Sequence, residues 1–137
     1  MINHLRHSFT QATLGSIIWI FLLSTLVYRG LNIPFNYVWN LIGIGVIFGV
    51  IFGIIYPFIW NFSTFKASIN ILLSTIINSF GGLLVVYLFS TDMFNLIKEY
   101  TVFFVLLTLV GHIIAFYFYS KYQNRKLADS LNDINKE

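Results

Sequence analysis

Four stretches without a charged residue, 7–28, 30–65, 67–91 and 100–120, occupy most of this chain. A bilayer core of about 30 Å takes about 20 helical residues to cross, and every stretch supplies them. Lipid offers the backbone no hydrogen-bond partners, so a spanning segment must be a helix or a strand of a closed barrel. Barrel strands are short and alternate in polarity, and nothing here alternates. The pattern predicts an all-α integral membrane protein: a four-helix antiparallel bundle with short loops and a short cytoplasmic C-terminal tail.

Charge supports that reading. The 137 residues are 58% hydrophobic and 9% charged, whereas soluble domains carry roughly 25% charged residues. One transmembrane domain, 1–137, fills the chain and leaves no space for a nucleotide-binding or hydrolase domain. Cysteine is absent, which removes disulfides, thiolate metal sites and cysteine nucleophiles together. Abundant Ile, Phe and Asn, with A/T-rich codons, point to a low-GC bacterial source. Arg6 precedes the first apolar run as in a signal peptide. No small-x-small cleavage site precedes Arg29, however, and three further spans follow, so an uncleaved helix is expected.

The predicted spans are 12–28, 37–60, 67–89 and 101–120, followed by the tail 121–137. Ile2, Leu5 and Phe9 recur at i, i+3 and i+7, the spacing of an interfacial turn ahead of the first span. Trp39 and Trp60 are 21 residues apart, a rise of about 31 Å that puts an indole near each interface. Pro57 is placed to bend the last turn of the second span. Ser90-Thr91-Asp92 reads as a loop and N-cap opening a short turn. In the tail, Leu127, Leu131 and Ile134 share one side, which fits either a continued helix or one lying on the membrane surface.

Basic residues set the orientation. Arg6, Lys66, Lys121, Arg125, Lys126 and Lys136 fall on one side of a four-span chain, Arg29 and Lys98 on the other. The positive-inside rule then gives a multi-pass cell-membrane protein with both termini cytoplasmic. Asn61-Phe62-Ser63 matches a glycosylation sequon but lies on the cytoplasmic side, so it is discounted. The two halves of the chain share no repeat, which argues against a duplicated transporter fold.

The strongest motif is Gly45-x-x-x-Gly49-x-x-x-Gly53. Glycines four apart form a groove on one helix face where another backbone can approach, and Tyr56 and Trp60 are read as continuing that face. The seam serves either packing inside one bundle, the reading adopted, or a homodimer. In the third helix Asn70, Ser74, Asn78 and Gly81 lie on one arc, with Ile69, Leu72, Ile76 and Phe80 opposite, toward lipid. Because a bare amide in lipid costs several kcal/mol, the polar arc must face protein or water. The fourth helix offers Thr101, Thr108, His112, Ala115 and Tyr119 on a matching face.

His112 is the ionisable side chain deepest within a span. An intramembrane ionisable group is a functional hypothesis by default, since imidazole relays protons or binds metal near neutrality. A neutral His bonded to Asn78 or Ser74 would instead be structural glue. No acid or base shares its depth, which favours glue. Asn70, Ser74, Asn78, Thr108 and His112 thus form a polar network or a polar path. His4 and His7 add no zinc spacing, and neither a metal nor a cofactor is expected. Lys121, Arg125 and Lys126 form a basic cluster suited to anionic headgroups, with nothing to support nucleic-acid binding.

From about Gly45 onward the chain resembles the bacterial family called domain of unknown function 3021. The likeness lies in Phe48-Gly49-Val50-Ile51-Phe52-Gly53, Ile59-Trp60, Lys66-Ala67-Ser68 and Tyr119-Ser120-Lys121-Tyr122, although the acidic residue expected before Trp60 is absent. Members are small four-span membrane proteins often beside LytTR-type transcription regulators, which implies a regulatory role and carries over no site residues. The expectation is a non-enzymatic regulatory or accessory membrane protein with the bilayer, a cytoplasmic or membrane protein, or a second copy as partner. The alternative is a small transporter or channel protomer with its path between the third and fourth helices.

Overall fold

The computed structural model describes residues 2–30 and 32–134, and among them all regular structure is helical. Lys136, counted above for orientation, lies outside the described residues, as does the side chain of Ile134. Helix α1 is Ile2–Val27, α2 is Tyr37–Phe62, α3 is Ala67–Phe89, α4 is Thr91–Ile97 and α5 is Thr101–Ile134. Four helical stretches, α1, α2, α3 and the stretch containing α5, are long and apolar enough to cross a membrane.

Two of these helices outrun their predicted bounds. Residues 2–11 form no separate interfacial turn; α1 is continuous from Ile2 because Phe9 and Thr13 pack on the glycines of α2. At the other end, α5 continues through the tail to Ile134. Its 34 residues span about 51 Å at 1.5 Å per residue, some 20 Å more than a bilayer core of about 30 Å.

The seam between α1 and α2 is built on absent side chains. Gly45 faces Ile17, Gly49 faces Thr13, and Gly53 faces the backbone of Phe9 and Ser8. As residue numbers rise on α2 they fall on α1, so these two helices run in opposite directions. The glycine groove is therefore filled from within the same chain.

Beyond Phe48 the second helix changes its winding. Gly49–Ile55 and Phe58–Phe62 are π-helical, with Tyr56 N–H reaching Ile51 O and Ser63 N–H reaching Phe58 O at 2.9 Å. A π-turn holds more residues than an α-turn, and Pro57 has no N–H to restore the tighter ladder. Successive positions therefore drift around the axis. Tyr56 and Trp60 leave the glycine face and turn toward α5, with ring centroids 5.9 Å from His112 and 5.8 Å from Phe116. The 3.6-residue period had placed them with the glycines.

A buried cluster of Ile20, Leu41, Ile44, Val85 and Phe89 joins α1, α2 and α3. Beside it, the Tyr28 hydroxyl donates to Phe89 O at 2.9 Å, the Tyr37 hydroxyl donates to the same oxygen, and Asn40 Nδ2 donates to Leu88 O at 3.1 Å. The last carbonyls of any helix lack internal donors; here two tyrosines and an amide supply them. Gly30, at φ +81°, takes the left-handed turn between α1 and α2 that side chains disfavour. Ser90 caps α4 by accepting from Met93 N at 3.3 Å.

Candidate functional site

The polar arc of α3 divides into three places rather than one. Nearest its start, Asn70 is buried and donates to Ile59 O at 3.1 Å, which Ser63 also reaches at 2.6 Å. That carbonyl lies in the last π-turn of α2, where backbone acceptors run short of donors. One turn on, fully buried Ser74 accepts from Trp60 Nε1 at 3.1 Å. Both residues bind α2, and neither reaches His112.

His112 sits in the second place. Its Nδ1 lies 2.9 Å from Thr108 O and 3.2 Å from Thr75 Oγ1, and its Nε2 lies 2.5 Å from the Tyr56 hydroxyl. A carbonyl oxygen only accepts, so Nδ1 carries a proton and donates to Thr108 O, while Nε2 pairs with the Tyr56 hydroxyl. The Thr75 hydroxyl in turn donates to Ile71 O at 2.8 Å. Both imidazole nitrogens are thus engaged. Every route outward from Nδ1 ends on a backbone carbonyl, which passes no proton on. Neither Asn78 nor Ser74 is its partner. Tyr56 is, because the π-turns swing it toward α5.

Next to this network lies a cavity of about 210 Å³ bounded by Tyr56, Trp60, Asn61, His112, Phe116 and Tyr119. Trp60 and Tyr119 stand nearly edge to face, centroids 6.3 Å apart. The sequence singled out Trp60 and Tyr119 but not their association.

The third place is a groove between α3 and α5 of about 280 Å³, holding Asn78, Ser79, Thr101 and Thr108. Two predicted site residues, Asn78 and Thr108, line it together, and Thr108 also offers its carbonyl to His112. Lys121, Arg125 and Lys126 are exposed on the far part of α5. Among the described residues, no three His, Cys, Asp or Glu side chains gather in a way that could hold a metal. No family model, curated protein or solved structure matches the chain, which leaves its residues and their geometry to carry the function.

Proposed function

We propose that this protein is a non-enzymatic, multi-pass cell-membrane protein, an antiparallel four-helix bundle with both termini cytoplasmic, that acts as a regulatory or accessory partner of another protein. The observation that carries it is the closed hydrogen-bond set around His112. An imidazole with Nε2 on the Tyr56 hydroxyl of α2 and with the bonds of Nδ1 ending on carbonyls of α5 and α3 is suited to holding helices together. Fully buried Ser74, tied to Trp60, lies between that network and Asn70, which supports helix packing over a transport path. The surface that remains for a partner is α5. Among its described residues none is buried, and its distal part displays Lys121, Arg125 and Lys126 beside exposed Leu127 and Leu131.

Two measurements test the proposal. Cysteines at Asn3, Ser63 and Ser130 should stay shielded from an impermeant thiol reagent in intact cells, while those at Asn32 and Asn95 react; labelling of Ser130→Cys from outside would falsify the orientation. In proteoliposomes the protein should support no proton or ion flux above empty vesicles. A flux abolished by His112→Gln with the fold intact would make the protein a transporter instead.

A further inference from the structure

The groove between α3 and α5 contains polar atoms that the rest of the bundle does not satisfy. Asn78 is near the middle of Ala67–Phe89, the depth at which an unpaired amide is most costly in lipid. Among the described residues, neither its side chain nor the Thr108 hydroxyl enters a hydrogen bond, in contrast to Asn70, Ser74 and Thr75 on the same helix. The adjacent Ser79 oxygen is buried with no partner at all. Donors and acceptors gathered at mid-depth without partners call for an occupant that supplies them.

The walls specify what kind. Beyond Asn78, Ser79 and Thr108 the groove runs along Leu83, Val86 and Phe104, and no charged side chain lines it. Its volume of about 280 Å³ is many times a water's share of about 30 Å³, enough for a ring or a short chain bearing one polar group. An ion would find no counter-charge there, and a pure hydrocarbon would leave the polar end unpaired. Gly82 borders the space with nothing within 4 Å of where a Cβ would lie.

We propose that this groove binds a neutral, membrane-dissolved amphipath. Its carbonyl or hydroxyl head hydrogen-bonds Asn78 and Thr108, and its apolar body lies along Leu83, Val86 and Phe104. Two membrane sources share that chemistry, lipophilic quinones and diacylglycerols. The site does not depend on the regulatory role proposed above, and its occupancy is read directly by binding.

The test uses the full chain, purified free of lipid in detergent. A decyl-substituted benzoquinone, dioctanoylglycerol and dodecane are titrated separately, with bound mass read by native mass spectrometry and Tm by unfolding. One head-bearing probe should bind at one equivalent and raise Tm, and which one does so identifies the source; dodecane should do neither. Asn78→Leu should weaken binding about tenfold or more, because it removes the head's partner. Gly82→Leu should abolish binding by growing into the open groove, with unliganded Tm and helicity retained. Head-bearing probes that bind no better than dodecane would overturn the proposal, as would binding unchanged in both variants. A Gly82→Leu protein of lower oligomer mass, with no probe bound by wild type, would make the groove a protein interface and equally overturn it.

Discussion

The seam between α1 and α2 and the seam between α3 and α5 solve one problem by opposite means. Between α1 and α2, three glycines let a neighbouring helix settle against bare backbone, and Phe9, Thr13 and Ile17 fill the space. Such packing relies on many small van der Waals contacts and tolerates no added atom. Between α3 and α5, few directional bonds do the holding, centred on His112 and Thr75, and a groove of about 280 Å³ stays open beside them. Close packing fixes a shape and leaves no space within it. Hydrogen bonding at a few points fixes a distance, and the volume between those points stays free for an occupant.

That contrast breaks most severely at Gly53. Alanine there would place a carbon 2.7 Å from Phe9 N and 2.8 Å from Ser8 O, and backbone cannot rotate away as a side chain can. We expect Gly53→Ala and Gly49→Leu each to lower stability in detergent by about 3 kcal/mol, near the top of the usual range for overpacking. Unfolding by titration with a denaturing detergent measures it. If Gly49→Leu instead lowers oligomer mass while the monomer stays folded, the glycine seam lies between chains.

The hydrogen-bonded seam should give way by a smaller amount. His112→Leu strands the Tyr56 hydroxyl, a loss of about 2 kcal/mol. His112→Gln keeps a donor and an acceptor and should recover most of it. Equal losses for Leu and Gln would show that the imidazole's shape, not its bonding, holds α5 in place.

Gly45 separates clash from adjustment. The nearest atoms to an added methyl there belong to the side chain of Ile17, which its β-branch holds in place but which can still shift where the backbone facing Gly53 cannot. Gly45→Ala should therefore be distinctly milder than Gly53→Ala in the same titration. Losses of the same size would mean that α1 cannot adjust locally anywhere along the seam.

The smallest effects belong to positions outside both seams. Gly82→Ala enters open space, and Ile76 is 43% exposed on the outer face of α3. Gly82→Ala and Ile76→Ala should each stay within about 0.5 kcal/mol of wild type. A Tm shift for Ile76→Ala equal to that of Gly49→Leu would remove the distinction between seam and surface.

The number and order of the long helices were legible in the sequence, though not where α1 begins or α5 ends, because a long apolar run is a local property and its helicity follows from the backbone's need for partners. The glycine groove was legible for the same reason: spacing within one helix sets which positions share a face. The polar arc of α3 was recognised as needing partners, but the partners themselves were not. Tyr56 meets His112 only because two π-helical segments around Pro57 turn the end of α2 away from its earlier face, and a 3.6-residue reading carries no sign of them. Which helix filled the glycine groove was open in the sequence, and so was whether the tail would extend α5. The open side of Gly82 and the partnerless oxygen of Ser79 were likewise settled in three dimensions, where the rotation and spacing of neighbouring helices, and not any one segment, decide which atoms meet.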